Sequence, residues 1–381
     1  MIPTPVRAVL TAAFVLAGCA ATPGADPTAA AAASAAAPET IRPPALPAPP
    51  ALAAAAQALD AAVRAAAGKG LARGDGYRYG QDVAQLLLYA ARRNDSELYT
   101  TLLPAAHTLI QQNPDDPYTA GFVLRRVKSG AAPEASGAAE ALWMARALWN
   151  GAAAFGRNED RALALTILDG YAKHAYVLQG VWLARRSFDF ADRSFANLST
   201  LPAYQPDFLA EAERREGRTG WRGFAERSYG LLERTATPSR LLLPVIQPEV
   251  GATWPGAGLD VYAPNGLTSL EDSCLGAEGA VNGLPKLAGG LLDFVVERAG
   301  KSAGRLRTLY SVEDGGAAGD TPLSADGYAC LVRIASARNH AEALALLDPR
   351  LLSEMQALAR ARTQIATSGA LLLAAQARGA F

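Results

Sequence analysis

The stretch Gly76-Tyr77-Arg78-Tyr79-Gly80-Gln81-Asp82 is a glycine-bracketed turn that leads into an apolar helix. The helix is indicated by an apolar face with i, i+3, i+4, i+7 spacing, formed by Val83, Leu86, Leu87 and Ala90. A second helix start, Ser136 to Leu148, follows about fifty residues later, a repeat distance typical of helical hairpins. The two stretches predict a chain built from repeated pairs of antiparallel helices.

The rest of the chain continues this pattern between Gly- and Pro-rich connections. Helices are predicted at 52–67, 80–93, 97–112, 138–154, 158–174, 206–215, 219–234, 285–299, 324–337 and, as a pair, 349–377. Within the long connections, only 118–127 and 176–182 resemble short strands. About ten to twelve helices predict an all-α domain over 52–381, an (α/α)6 toroid of helical hairpins with long rim loops. A solenoid is the alternative, but no constant period of about 34 residues is present.

Composition excludes several classes of protein. The 381 residues are 50% hydrophobic with a formal net charge of +0, so no bulk charge attracts nucleic acid. Three His and three Cys show neither CxxC nor HExxH spacing, so no metal or other cofactor is expected.

Residues 1–19 have the pattern of a lipoprotein signal peptide. Arg7 precedes an apolar run, and Leu16-Ala17-Gly18-Cys19 matches the bacterial lipobox, which predicts lipidation at Cys19. Residues 20–51, dominated by Ala and Pro, predict a disordered tether. No Asp follows Cys19, and resemblance to other lipoproteins therefore implies the outer membrane, with the domain in the periplasm. In that oxidising compartment Cys274 and Cys330 are candidates for a disulfide, or else two buried small apolar residues.

The sequence resembles glycoside hydrolase family 8, in particular the periplasmic endoglucanases of bacterial cellulose operons. Residues 79–84 are similar to the family's Ser-Glu-Gly-Gln-Ser-Tyr-Ala helix start, and 136–143 to its Ser-Ala-Ser-Asp-Ala-Asp-Leu-Trp segment. Residues 159–173 are similar to the following helix, 197–204 to the Asn-Pro-Ser-Tyr-x-x-Pro loop, and 271–274 to the Tyr-Asp-Ala site. The resemblance implies a toroid with a long groove for a β-glucan.

The departures from the family pattern concern the catalytic acids. Tyr79 stands in the place of the proton-donor Glu, and Ala139 and Ala141 stand where the family has Asp. Only the general base has a counterpart, Asp272. Inverting hydrolysis needs two carboxyl groups about 6.5–9.5 Å apart, so a second acid must come from nearby. Asp82 is the candidate, although an acid in the first turn of a helix also complements the helix dipole.

Other acids have simpler interpretations. Asp75 is expected to shape a turn, Glu140 to be a solvated first-turn acid and Glu278 to lie at the surface. Sugar binding needs aromatic faces and planar polar groups, and the candidate substrate-binding residues are Tyr77, Tyr79, Tyr204, Trp254 and Arg78. Trp143 and Trp149 are expected in the core.

Two functions follow from different classes. The first is an envelope lipoprotein whose domain acts on or binds an exopolysaccharide of the β-glucan type. The second is a non-catalytic lipoprotein that assists polysaccharide export or assembly through the groove in which the family binds its substrate. The expected partners are a polysaccharide, the membrane through Cys19 and, for the second function, exopolysaccharide secretion machinery, with no nucleic acid.

Overall fold

The computed structural model describes residues 47–69, 71–178, 181–217, 221–248, 258–302, 305–361 and 364–381. The predicted signal peptide, Cys19, most of the predicted tether and Trp254 lie outside these residues. No helix in the described ranges is both long and apolar enough to cross a membrane.

Twelve α-helices are present in the described part of the chain. Their bounds are α1 Pro50–Ala67, α2 Gly80–Arg92, α3 Ser96–His107, α4 Ala138–Phe155, α5 Asn158–Lys173, α6 Pro206–Glu216, α7 Phe224–Thr235, α8 Leu270–Gly279, α9 Pro285–Lys301, α10 Ala325–Ala337, α11 Ala341–Ala361 and α12 Ser368–Ala377. The predicted helices are present with shifted ends, and α8 is a helix that the sequence analysis did not predict.

Five of the even-numbered helices, α2, α4, α8, α10 and α12, form a closed inner ring together with one 3-10 turn. α2 packs against α4 and α12, and α10 packs against α12 and α8. Between α4 and α8 the ring is completed by the 3-10 turn Leu201–Ala203, which precedes α6 and contacts both neighbours. Hairpin partners on the outside include α1, α3, α5, α9 and α11. The predicted (α/α)6 toroid is confirmed.

Short antiparallel strands occur only in the connections that precede inner helices, within the described residues. They are β1 Arg78–Tyr79, β2 Arg126–Val127, β3 Ala135–Gly137, β4 Ala175–Leu178, β5 Val181–Ala184, β6 Ser187–Asp189, β7 Ser194–Phe195, β8 Ser199–Thr200, β9 Val245–Pro248, β10 Leu259–Tyr262, β11 Leu267–Ser269 and β12 Leu309–Ser311. They pair as β1–β2, β3–β6–β7, β4–β5, β8–β9–β10 and β11–β12. The connections that follow inner helices are short, so one face of the ring carries the long loops.

The interior of the ring contains a buried ion pair. Arg333 on α10 donates through Nε and Nη2 to the two carboxylate oxygens of Glu278 on α8, at 2.6 and 2.7 Å. Its Nη1 donates to the carbonyl of Ala370 on α12 at 3.1 Å. The guanidinium groups of Arg333 and Arg146 both lie within 5.9 Å of the centre of the Trp143 ring. The expectation that Glu278 lies at the surface is therefore wrong, because it joins two inner helices.

A disulfide links the same two helices. Cys274 on α8 and Cys330 on α10 are bonded, with their Cα atoms 6.1 Å apart. Both residues are fully buried. Neighbouring inner helices are therefore joined covalently as well as by the ion pair.

Candidate functional site

The first turns of the inner helices lie at the face that carries the long loops. The start of α2 is held by β1, which pairs with β2, and by Gly80, whose N–H donates to the carbonyl of Arg125 at 2.9 Å. A Cβ atom on Gly80 would lie 2.5 Å from the carbonyl oxygen of Leu124. Glycine is therefore required at this close approach of two backbones, which places the first turns of α2 and α4 side by side.

Asp82 lies in the first turn of α2 and is 3% exposed. Arg73 donates to its two oxygens from Nε and Nη2, at 2.7 Å each. Burial raises the pKa of Asp82, while the Arg73 guanidinium opposes this by favouring the charged form. Both oxygens are engaged by a permanent cation, so the geometry favours a structural role over the predicted catalytic one.

Tyr79, in the position of the family's donor, belongs to the same network. The Arg73 guanidinium lies 4.1 Å from the centre of its ring. Its hydroxyl donates to Oδ2 of Asp75 at 2.8 Å, and Oδ1 of Asp75 accepts the N–H of Tyr77 at 2.9 Å. The Tyr79 side chain is thus fixed at the edge of the face, partly exposed and covered on one side by a cation.

Tyr77 and Arg78 have partners that the sequence does not reveal. The Tyr77 hydroxyl donates to Oε1 of Glu134 at 3.0 Å, and the guanidinium of Arg126 lies 4.3 Å from its ring centre. Arg78 donates from Nη1 to Oγ1 of Thr108 at 2.7 Å. Thr108 follows the outer helix α3, so this contact directs Arg78 toward the outer layer. A sugar would meet at most one face of Tyr77.

The prediction that Tyr204 binds substrate at the rim is wrong. Its side chain is fully buried, its ring packs at 5.8 Å from that of Trp182, and its hydroxyl accepts the N–H of Ala184 at 3.4 Å. The segment 201–205 completes the inner ring, which draws Tyr204 into the core instead of the rim. Trp143 and Trp149 are buried, as expected.

Asp272 lies in the first turn of α8, whose N-cap Ser269 accepts the N–H of Asp272 at 3.2 Å. Its carboxylate makes no hydrogen bond or ion pair with any residue that the structure describes. Burial raises its pKa to about 6, and the charge of Glu271 adds to the effect. Asp272 thus combines an unengaged carboxylate with a pKa suited to proton transfer near neutral pH.

Asp326, in the first turn of α10, was missed by the sequence analysis. Burial is the main cause that raises its pKa to about 7, and the negative charges of Glu271 and Asp82 raise it further. The neighbouring Ser324 caps α10 by accepting the N–H of Gly327 and donates to Glu271 of α8. An acid in the first turn of an inner helix was the available signal, but in sequence it is indistinguishable from a residue that complements the helix dipole.

Glu140 also differs from expectation. Its side chain is only 15% exposed, and it lies against Gly80 and Gly137 at the start of α4. Burial raises its pKa, opposed by the charges of Arg125 and Arg186. The face therefore carries five first-turn acids, one each on α2, α4 and α10 and two on α8, of which Asp82 alone is held by a bidentate arginine. The described residues contain no cluster of His, Cys, Asp or Glu suited to hold a metal ion.

Replacing Asp326 by Asn should stabilise the domain above about pH 7. With a raised pKa, wild-type Asp326 binds its proton more tightly in the folded state, so stability falls as pH rises from about 4 to 7. The variant lacks this penalty, on the order of 2 kcal/mol after allowance for partial exposure. Urea unfolding at pH 4 and pH 8 measures it, with exposed Asp115→Asn as the control. An equal effect at both pH values would contradict the assignment.

Comparison with known proteins supplies the fold relationship. No protein-family model and no curated protein matches the sequence. Among solved structures, the chain is similar to an alpha-amylase from Clostridium perfringens, with 15% identity, a TM-score of 0.67, and coverage of 85% of this chain and 97% of that one. It is also similar to a cold-adapted family 8 xylanase, with 17% identity, a TM-score of 0.58 and 80% coverage of both chains.

A third similar structure is the endo-beta-1,4-glucanase CMCax from Acetobacter xylinum, with 16% identity and a TM-score of 0.57. The match covers 82% of this chain and 99% of that one. Since identity is low throughout, these matches establish the architecture and leave the chemistry to the residues. The chain has the fold of the family 8 glycoside hydrolases, as its sequence motifs had indicated.

Proposed function

We propose that this protein is an envelope lipoprotein whose domain binds an exopolysaccharide of the β-glucan type at the face formed by the inner-helix N-termini. The observation that supports the proposal is the residue found at the position of the family's proton donor, together with its contacts. Tyr79 stands there with its hydroxyl bonded to Asp75 and its ring covered by Arg73. A phenol has an ordinary pKa near 10 and is a poor proton donor to a sugar oxygen at neutral pH.

Binding makes fewer demands than hydrolysis. The aromatic residues Tyr77 and Tyr79 lie at the edge of the face and are partly exposed. Three titratable carboxyl groups, on Glu140, Asp272 and Asp326, supply hydrogen-bonding groups for hydroxyls. An extended polymer would lie along the long loops that border this face. The same surface would serve a lipoprotein that holds the polymer for export or assembly.

Hydrolysis with a relocated acid is the second candidate. It is favoured by the raised pKa values of Asp272, about 6, and Asp326, about 7. In an inverting reaction Asp326 would protonate the departing oxygen, and Asp272 would accept the proton of the attacking water. The two residues lie in the first turns of neighbouring inner helices.

The purified domain is expected to bind polysaccharide and to release few or no reducing ends from unsubstituted β-1,4-glucan. Loss of a general acid typically costs a factor of about 10²–10⁴ in rate. Binding is measured by affinity electrophoresis in cellulose-like and acidic polymers, and cleavage by reducing-end release. Tyr79→Ala should weaken binding, whereas Glu226→Gln, on the exposed surface of α7, should not. Robust cleavage abolished by Asp272→Asn or Asp326→Asn would replace this proposal by the hydrolytic one.

The lipoprotein assignment rests on the lipobox ending at Cys19. The chain is expected to incorporate a fatty-acid analogue and to fractionate with the outer membrane. Cys19→Ser should lose both the label and the membrane association. A wild-type chain that is soluble and unlabelled would overturn the assignment.

A further inference from the structure

A basic cavity lies at the end of the outer helix α9, apart from the first-turn acids. Its volume is about 470 Å³. Four cationic side chains line it, from Arg298, Lys301, Arg305 and Arg307, and Asp320 is the one acidic residue in its lining. A cavity of this size is within the range of sites for small organic ligands, about 300–1,000 Å³. The excess of positive charge indicates an anionic ligand.

The acids near the cavity neutralise it only in part. Asp320 pairs with Nη2 of Arg307 at 3.2 Å, but its side chain is 99% exposed, so it lies at the mouth in full contact with water. Glu297 pairs with Lys301 at 2.7 Å and with Arg240 at 3.6 Å. All three pairs are of the exposed kind that contributes little to stability and exchanges readily.

Two of the arginines have guanidinium N–H groups without a hydrogen-bond partner among the described residues. Arg298 donates from Nη2 to the carbonyl of Asp314 at 2.6 Å, while its Nε is buried and has no hydrogen-bond partner. The side chain of Arg305 is exposed and makes no hydrogen bond or ion pair with any described residue. The guanidinium of Arg305 therefore has its donors available to a ligand, whereas the Nε of Arg298 is shielded from solvent.

The helix dipole accounts for only half of this cluster. Arg298 and Lys301 lie in the last turn of α9, where cations interact favourably with the helix C-terminus. Arg305 and Arg307 lie beyond the helix, on the loop that leads to β12, where the dipole gives no reason for two further cations. Oγ of Ser302 lies 2.7 Å from the carbonyl oxygen of Arg298 and 2.5 Å from that of Arg305, so its one hydrogen can be donated to either of them.

We propose that this cavity binds a phosphate-bearing group. Guanidinium forks match the tetrahedral oxygens of phosphate and can donate two parallel hydrogen bonds each, whereas a single carboxylate is satisfied by one arginine. The hydroxyl of Tyr310 at the cavity wall donates to no acceptor that the structure records, and it accepts the N–H of Arg307 at 2.8 Å. The same chemistry is offered by a phospholipid headgroup and by a soluble phosphate compound.

The test uses the full-length chain with Cys19→Ser, so that no acyl chain contributes to membrane binding. Inorganic phosphate and pyrophosphate are titrated calorimetrically at low and high KCl, since a charge-based site weakens with salt. In parallel, the chain is co-sedimented with phosphatidylglycerol vesicles and with phosphatidylcholine vesicles. The variants are Arg305→Gln and the double change Arg305→Gln, Arg307→Gln. Arg227→Gln, an exposed arginine on α7, is the control for loss of one charge.

Saturable binding that falls at least about tenfold in the double variant, and is unchanged in Arg227→Gln, is the expected result; tenfold corresponds to 1.4 kcal/mol. Binding of free phosphate or pyrophosphate would identify a soluble ligand. Binding only to phosphatidylglycerol vesicles, with the same loss in the variants, would identify a headgroup. Absence of both, or an equal loss in Arg227→Gln, would overturn the proposal. Thermal unfolding of each variant shows whether it is folded.

Discussion

Glu278→Gln is expected to lower the free energy of unfolding by about 3–5 kcal/mol, because it breaks a buried ion pair by removing one partner. The substitution keeps the size of the side chain and removes its charge. Arg333, which is 5% exposed at its side chain, would then remain charged without a counter-ion. Arg146 and Arg92 lose the same neighbouring charge, because both interact electrostatically with Glu278.

The effect should depend on pH in a defined direction. Burial alone would raise the pKa of Glu278, but the charges of Arg333, Arg146 and Arg92 outweigh burial and the pKa is lowered. A lowered folded-state pKa contributes stability above the unfolded pKa of about 4.3, and that stability is lost as pH falls through the folded-state value. The difference between wild type and variant should therefore be full at pH 7 and shrink below about pH 4.

Urea unfolding at pH 7 and pH 3.5 measures both statements. The matched control is Glu354→Gln, which removes a partly exposed i,i+4 partner of Arg350 at 2.6 Å. Such a surface pair is worth about 1 kcal/mol or less. If both substitutions have the same small effect, the buried pair does not hold the inner ring together.

Loss of the disulfide should be the next largest effect. Replacing Cys274 and Cys330 together by Ala is expected to cost about 2–4 kcal/mol. The bond closes a loop with a sequence separation of 56 residues, so it removes many conformations from the unfolded chain. Ala avoids burying a hydroxyl at two fully buried positions.

Thiol counting on the denatured, unreduced chain checks the bond directly. The Cys19→Ser background leaves only these two cysteines, so the expected count is zero. Addition of dithiothreitol should bring the wild-type unfolding midpoint toward that of the double Ala variant. Two free thiols, or a midpoint that dithiothreitol leaves unchanged, would contradict the prediction.

Much of the fold was predictable because most helices have a clear apolar face. α2, α4, α5, α9 and α10 were predicted nearly in full for this reason. The helix α8 was missed because its ten residues, LEDSCLGAEG, contain two glycines and lack amphipathic periodicity. Most short strands were missed because segments of two to four residues give no measurable alternation.

The candidate site was less predictable, because its properties depend on which residues the fold brings next to each acid. Asp82 was identified as an acid at a helix start, but its bidentate partner Arg73 lies in the preceding turn. Tyr204 follows a motif that suggests a rim loop, yet that segment completes the inner ring. Asp326 is distinguished from other first-turn acids only by its burial and by the nearby charges, neither of which is written in the local sequence.

The closed ring also determines how the two ends of the domain are related. Arg378, just after α12, donates from Nη2 to the carbonyl of Pro47, ahead of α1, at 3.3 Å, and it pairs with Asp348 of α11. α12 also packs on α2, so contacts that close the ring join the beginning and the end of the domain. Such long-range contacts form slowly, because the entropy of closing a long loop is lost before the contacts begin to stabilise the chain. During synthesis the apolar inner faces of α2 and α10 stay uncovered until the last helix has emerged. A circular permutant with new ends in a short loop would allow α12 to pack on α2 earlier in synthesis.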